Sequence, residues 1–331
     1  MKRAPQFSLS NLLFEDAADD LKAAYSAGPA AVRNLFNSSD DKISLKKALD
    51  GESDGQPNDD KITISGPTAT PVGELYPTQR EIDLLKSVAY PLADIGILTT
   101  MLSSGQSTAG SIAISGKYVL DGHHRWSQVW AILGKSGKIL ATDYQFPGNQ
   151  SQKLAAMQLA VAAVDPNVND EFPSASKPFE TNIMGVGAKG IEKMIKDNIG
   201  KGDKPILNPN FLKAAAANEE VAKWAGYKVG AGSQEIIDAI AKKVGKNLAS
   251  LRKNSKAPAR ADMPQLDHDS IGGIKAKNKI TAKLASGEYN VVPPFKSSGA
   301  DAGKKTKAET VSRRDDVIME RWGRLAGILK D

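Results

Sequence analysis

Residues 121–126 (Asp-Gly-His-His-Arg-Trp, hereafter the box) form the chain's densest group of side chains that could do chemistry. A short apolar run, Tyr118–Leu120, precedes the box, and apolar residues at helical spacing follow it. The sequence therefore predicts a strand, a glycine turn and the start of a helix. The first backbone N–H groups of a helix lack partners, and the helix dipole adds partial positive charge there. The box is thus a candidate phosphate site.

Each box residue suits such a site. Gly122 would let the backbone approach a ligand closely. His123, His124 and Arg125 place donors on the first helical turn, and arginine can hold a phosphate through two hydrogen bonds. A structural role fits the same residues equally well, with Asp121 paired to Arg125 and His124 bonded to a buried carbonyl. A metal site is disfavoured, because adjacent helical side chains point about 100° apart and no third ligand is evident.

The elements around the box predict how it is positioned. Val72–Leu75 has the pattern of a short strand. Thr78 can cap a helix that begins at Gln79, with Glu81 as the capping-box residue, and we favour that role for Glu81 over a chemical one. Residues 103–110 are predicted to be a flexible loop.

Four further elements follow in the chain. A hairpin is predicted from Ser111–Ile114 and Tyr118–Leu120, then the box helix, a strand at Ile139–Phe146 and a helix at Gln152–Val164. We therefore expect an α+β fold, with a small mixed β-sheet and flanking helices, followed by an all-helical region.

Composition shifts along the chain predict six regions. They are a helical N-terminal arm (1–49), an acidic linker (50–61), the α+β domain (62–170), a basic helical region (189–253), an extended or disordered linker (254–308) and a C-terminal amphipathic helix (309–331). The acids of the first linker are not in register for an EF-hand. The last helix either docks on its own domain or binds a protein partner.

Composition also excludes several classes of function. The chain has no cysteine, so disulfides, thiolate metal sites and thiol catalysis are ruled out. The N-terminal residues lack the apolar stretch of a secretory signal, and no run is long enough to cross a membrane. We therefore expect a soluble, cytoplasmic protein with no membrane partner.

Charge is distributed unevenly. Residues 1–188 hold 16 Lys and Arg against 21 Asp and Glu, whereas residues 189–331 hold 28 against 17. The basic second half is compatible with an anionic partner such as DNA, and equally with solvated surface lysines.

Two segments together carry a family resemblance. The box resembles the signature of the ParB/sulfiredoxin superfamily, and residues 75–83 (Leu-Tyr-Pro-Thr-Gln-Arg-Glu-Ile-Asp) resemble the upstream conserved segment of that group. The pair is similar to uncharacterised ParB-like proteins of large tailed bacteriophages, annotated in general as ParB-like nuclease domains. The resemblance covers about residues 70–165. It implies a location in the host cytoplasm if the protein is phage-encoded, or in the virion.

The resemblance implies a ligand and the residues that bind it. Superfamily members bind nucleotide phosphates, which implies a nucleotide (ATP, ADP or CTP) with Mg²⁺. The implied phosphate-binding residues are Thr78, Gln79, Gly122, His123, His124 and Arg125. His123 occupies the place of the sulfiredoxin cysteine, so sulfinic acid reduction is excluded. ParB clamps have more arginine in the box, so CTP specificity and hydrolysis do not carry over.

Three classes of function follow from the resemblance. In the first, a phosphotransferase or NTPase uses His124 and Arg125 on the phosphates and Glu81 or Asp83 as general base. In the second, a nucleotide-gated protein binds DNA through the helices predicted at Phe211–Trp224 and Gln234–Val244; a nuclease is disfavoured for lack of an acidic metal cluster. In the third, a virion structural or interaction protein retains the fold as a scaffold.

Overall fold

A computed structural model describes residues 9–52, 58–164, 179–201, 204–263, 274–293 and 295. The helix predicted over 309–331 lies outside these residues. Within them, no helix has the length and apolar character needed to cross a membrane.

A mixed five-stranded sheet lies at the centre of the fold. Its strands, in chain order, are β1 (Ile64–Pro71), β2 (Tyr76–Pro77), β3 (Ile112–Ser115), β4 (Tyr118–Asp121) and β5 (Lys138–Tyr144). The order across the sheet is β1-β5-β3-β4-β2. The pairs β2–β4 and β3–β5 are parallel, and β1–β5 and β3–β4 are antiparallel. The short, two-residue β2 forms one edge.

Successive strand residues point to opposite sides of a sheet, and in the central strands β3 and β4 both sides are buried. In β3, Ile112 and Ile114 belong to one hydrophobic core and Ala113 to the other. In β4, Val119 and Leu120 divide in the same way. The chain must therefore supply helices to both faces.

The helices fall into two groups, one for each of the two hydrophobic cores. The first core contains residues of α4 (Leu84–Ala93), α5 (Ile95–Ser104), α6 (His123–Leu133), α8 (Ala188–Asp197), α9 (Pro209–Ala216), α10 (Glu219–Ala225) and α11 (Ser233–Ala249). The second contains residues of α1 (Leu9–Ala27), α2 (Pro29–Ser38), α3 (Lys42–Ala48), α7 (Gln150–Val164) and α12 (Ile274–Ser286).

The α+β class with a mixed sheet, flanking helices and further helices is confirmed. The hairpin, the box helix and the elements predicted at Ile139–Phe146 and Gln152–Val164 are present as β3–β4, α6, β5 and α7.

Several local features differ from the predictions. Val72–Glu74 is a 3₁₀ turn rather than a strand. The polar strand β1 was not predicted. The segment predicted as one helix over Phe211–Trp224 is two, because the side chain of Asn218 caps α10. Helix α12 lies within the range predicted to be extended or disordered.

The helix predicted to begin at Gln79 begins instead at Leu84. The Asp83 carboxylate accepts the Lys86 backbone N–H and so caps α4. Thr78, the predicted cap, donates its hydroxyl to the carbonyl of Val119 on β4. Glu81 therefore does not serve as a capping-box residue.

Candidate phosphate site at the start of helix α6

The turn between β4 and α6 is the centre of the candidate site. Gly122 adopts a left-handed conformation, with φ of 92°, and precedes the first residue of α6. A Cβ at this position would lie 2.5 Å from Cγ2 of Ile112, so the close contact with β3 also requires glycine. No side chain caps the helix. The first N–H groups of α6 are therefore left without the usual side-chain acceptor.

The two box histidines bond to the segment Thr78–Asp83. The backbone N–H of Thr78 donates to Nε2 of His123 over 3.0 Å, and that of Asp83 donates to Nε2 of His124 over 3.2 Å. Because both Nε2 atoms accept, each ring in its neutral form carries its proton on Nδ1, a tautomer assigned from this hydrogen-bond network. Each ring therefore has only Nδ1–H to offer a ligand as a donor.

Burial keeps both rings neutral. It lowers the pKa of His123 to about 3, with a further contribution from the neighbouring His124. Burial also lowers the pKa of His124 to about 4; Lys86 and Arg260 lower it further, and Asp83 opposes them. The charged form of each ring is disfavoured in the interior. At neutral pH the histidines therefore bring no positive charge to the site.

The other predicted residues of this side are also engaged within the protein. Both carboxylate oxygens of Asp83 accept hydrogen bonds, from the Lys86 N–H and from the Thr181 hydroxyl, each over 2.7 Å. The buried Gln79 donates its side-chain amide to the carbonyl of Glu81. Thr78 is fully buried. Thr78, Gln79 and Asp83 thus hold the segment beside the box.

Glu81 differs from Asp83 in that its carboxylate is not engaged. This carboxylate makes no hydrogen bond or ion pair within the part of the chain that the structure describes, although the Glu81 carbonyl accepts from Gln79. The structure brings Glu81 and Asp83 onto the segment that contacts the histidines. It does not place either carboxylate on the first turn of α6.

Arg125 lies in a different environment from the histidines. Its Nη1 donates to the carbonyl of Ser111 over 2.7 Å, and its Nη2 bonds to the Asp121 carboxylate over 3.1 Å. The arginine side chain keeps 31% of its surface exposed. The predicted pairing of Asp121 with Arg125 is present, and the guanidinium remains accessible beside the uncapped helix start.

Lys277, which the sequence did not indicate, joins Arg125 at Ser111. Its Nζ donates to the same carbonyl over 2.9 Å and lies 3.2 Å from the Ser111 hydroxyl. Two cations therefore converge on one neutral oxygen. Lys277 lies on α12, whose Ile280 and Leu284 are fully buried at i, i+4 spacing. That pair is the signal that could have revealed the helix.

A second group of cations lies near His124. The ring of Phe179 meets the His124 ring edge-on, with 5.4 Å between centroids. Nζ of Lys86 is 5.2 Å and Cζ of Arg260 is 4.4 Å from the centroid of the Phe179 ring. The Phe179 ring is thus in contact with His124 and with both cations.

The described residues contain no group of three or more His, Asp or Glu side chains placed to hold a metal ion. Searches of protein-family models, curated proteins and solved structures find no match to this chain.

Proposed function

We propose that the chain binds a nucleotide or another phosphate-bearing ligand at the start of α6. The observation that supports this most strongly is the convergence of Arg125 and Lys277 on the Ser111 carbonyl, beside a helix start that no side chain caps. The cations, the free N–H groups and the helix dipole all favour an anion at the same place.

The contacts that Arg125 makes without ligand do not prevent this role. Arg125 and Asp121 are four residues apart in sequence, and their ion pair is partly exposed. Such pairs contribute little to stability. A phosphate can therefore displace the Asp121 carboxylate from the guanidinium of Arg125 at a small cost in stability. Lys277 in turn exchanges a neutral carbonyl for a charged oxygen, which is a stronger acceptor.

In this proposal the two histidines position the site rather than hold the phosphate. Their Nε2 atoms fix the Thr78–Asp83 segment against the first turn of α6. This division of labour modifies what the ParB/sulfiredoxin resemblance implies, since that resemblance assigns phosphate contacts to both histidines as well as to Gly122 and Arg125. Where turnover follows binding, Glu81 is our candidate base for a phosphotransferase or NTPase, because the oxygens of Asp83 already accept two hydrogen bonds.

Thermal unfolding with ATP, ADP, CTP or GTP and Mg²⁺ tests the proposal. A ligand at 100 times its dissociation constant stabilises the fold by about 2.7 kcal/mol. We expect one nucleotide to raise the melting temperature, and Arg125→Ala and Lys277→Ala each to abolish the shift without unfolding the protein. Lys279→Ala is the matched control, because Lys279 is exposed two residues along the same helix.

Two results would contradict the proposal. If none of the nucleotides, nor inorganic phosphate or pyrophosphate, stabilises the wild-type chain, the start of α6 is not a phosphate site. If Lys279→Ala weakens the shift as much as Lys277→Ala, the effect reflects general charge and not the contact at Ser111.

A further inference from the structure

Two tyrosines and two cations form a continuous surface at the β2 edge of the sheet. Tyr76 and Tyr118 are partners across the parallel β2–β4 pair, with ring centroids 6.3 Å apart and ring planes at 49°. Cζ of Arg252 lies 4.4 Å from the Tyr76 centroid. Nζ of Lys117 lies 5.2 Å from the Tyr76 centroid and 5.9 Å from that of Tyr118. We refer to these four residues as the tyrosine surface.

The polar ends of these side chains are not used within the described part of the protein. Both tyrosine rings are partly exposed, and neither hydroxyl makes a hydrogen bond there. The hydroxyls of the more buried Tyr144 and Tyr227, by contrast, bond to Thr281 and to the Ala215 carbonyl. Over the same residues, Lys117 and Arg252 form no ion pair.

Further positive charge borders the tyrosine surface. Residues 252–256 (Arg-Lys-Asn-Ser-Lys) follow α11, and the side chain of Asn254 anchors them by donating to the Pro77 carbonyl over 2.7 Å. Pro77 directly follows Tyr76, so this anchor brings the basic segment beside the ring. Lys253 and Lys256 in it are exposed.

The nearby acidic residues only partly offset this charge. The Asp143 carboxylate accepts the Gly116 N–H at the hairpin turn over 2.7 Å. Glu74, two residues before Tyr76, is exposed. Four cations at residues 117, 252, 253 and 256 therefore leave the neighbourhood of the rings positive.

We propose that the tyrosine surface binds single-stranded nucleic acid. Bases stack on aromatic faces and on the guanidinium plane of arginine, and the backbone phosphates bind lysines. The two ring centroids lie 6.3 Å apart, and each cation lies within about 6 Å of a ring centroid, so one strand could contact both kinds of group. This site is distinct from the start of α6, and the inference does not depend on the phosphate ligand proposed there.

The geometry favours a single strand over the other partners that a basic sheet edge could bind. A duplex hides its base faces and would use the cations alone. An added peptide strand needs a row of backbone groups, and β2 offers only two residues, one of which is Pro77 without an N–H. Recognition must therefore come from the side chains.

Fluorescence anisotropy with labelled dT20, rU20 and a 20-base-pair duplex tests the inference on the full chain. We expect the single strands to bind more tightly than the duplex. Tyr118→Leu and Arg252→Met should each weaken dT20 binding on the order of tenfold, since each removes a stacking partner. Lys117→Gln should lower the slope of log affinity against log salt by about 0.7.

Matched controls separate stacking from folding and from general charge. Tyr90→Leu removes an exposed tyrosine on α4, and Lys223→Met removes an exposed cation on α10; both should leave dT20 affinity unchanged. Melting temperatures confirm that each variant is folded. The inference is overturned if dT20 does not bind, if the duplex binds as tightly, or if Tyr118→Leu has no more effect than Tyr90→Leu.

Discussion

The two sides of the first turn of α6 use neighbouring residues of one motif in opposite ways. On the histidine side, His123 is buried and His124 half-buried, and both rings are neutral and bonded to the backbone of Thr78–Asp83. On the arginine side, Arg125 is partly exposed and charged, and shares the Ser111 carbonyl with Lys277. Residues adjacent in sequence thus divide between holding the fold and remaining available to a ligand.

This difference teaches which contacts can be exchanged for a ligand. A ligand that displaced the backbone N–H groups from the histidine Nε2 atoms would leave those N–H groups without an acceptor. Each unpaired buried group costs about 1–3 kcal/mol. A ligand that displaced the partly exposed contacts of Arg125 would cost far less, because water and the ligand itself can hydrogen-bond to the groups that are released. Under the proposed function, only the arginine side of the box can therefore exchange its contacts for a ligand at small cost.

Acid should affect the histidine side most strongly. Each ring has a folded pKa, about 3 and about 4, that lies below its unfolded value of about 6.5. The unfolded chain binds more protons between these values, so stability is complete above pH 6.5 and falls as the pH is lowered. From pH 7 to pH 5 the two rings together should cost roughly 4 kcal/mol of unfolding free energy, measured by urea titration.

A matched variant separates the loss of stability due to the histidines from the loss due to carboxylates that titrate in the same pH range. Glutamine at both positions (His123→Gln with His124→Gln) supplies an oxygen acceptor that does not titrate. We expect the double variant to lose roughly 4 kcal/mol less than the wild type over the same pH interval. Equal losses in the two proteins would mean that the rings are not the neutral acceptors described above.

Gly122 joins the two sides, and its replacement should give the next largest effect. Alanine there would carry φ of 92° and place its Cβ 2.5 Å from the Ile112 side chain. We expect Gly122→Ala to lower the unfolding free energy by about 3 kcal/mol, from backbone strain and overpacking together.

Gly105 provides the control for Gly122. It also has positive φ, at 64°, but a Cβ there meets nothing within 4 Å. Gly105→Ala should therefore cost only the backbone strain, about 1 kcal/mol. If the two variants are equally destabilised in urea titrations, the contact between the turn and β3 is not tight, and the two sides are not fixed relative to one another.

Much of the fold around the box was predictable because its signals are local. The hairpin and α6 follow from apolar residues at strand and helix spacing. Strand β1 was not predictable in this way, since seven of its eight residues, from Ser65 to Pro71, include two prolines, a glycine and two threonines and are largely exposed. Its pairing with β5 depends on tertiary contacts that no local pattern encodes.

The candidate site was only partly predictable for the same reason. The glycine turn and Arg125 were found from the box itself. Lys277 is 166 residues from Ser111 in sequence, so no spacing rule connects them. The roles of the histidines were also hidden, because their acceptor geometry depends on where the Thr78–Asp83 segment folds back. Asp83 caps α4 and Thr78 bonds to Val119 instead, so this segment precedes the helix rather than forming its first turn.

The smallest effect on stability, and the sharpest test of the comparison, comes from two carboxylates. Asp121→Asn removes the negative charge on the arginine side and breaks a partly exposed ion pair. It should change the unfolding free energy by only about 0.5 kcal/mol. It should also raise phosphate affinity on the order of fivefold at low salt, because the repulsion between the carboxylate and the ligand is lost.

Asp83→Asn is the counterpart on the histidine side. Its remaining oxygen can still cap α4, so the cost comes mainly from the Thr181 bond, about 1 kcal/mol. Nucleotide affinity, measured by calorimetry at several salt concentrations, should stay near that of the wild type. Equal gains in affinity from both variants would place the ligand as close to the histidines as to Arg125. The ligand would then have to lie between the histidine side and the arginine side. The two sides would differ only in that the histidine Nε2 atoms are already bonded to the backbone.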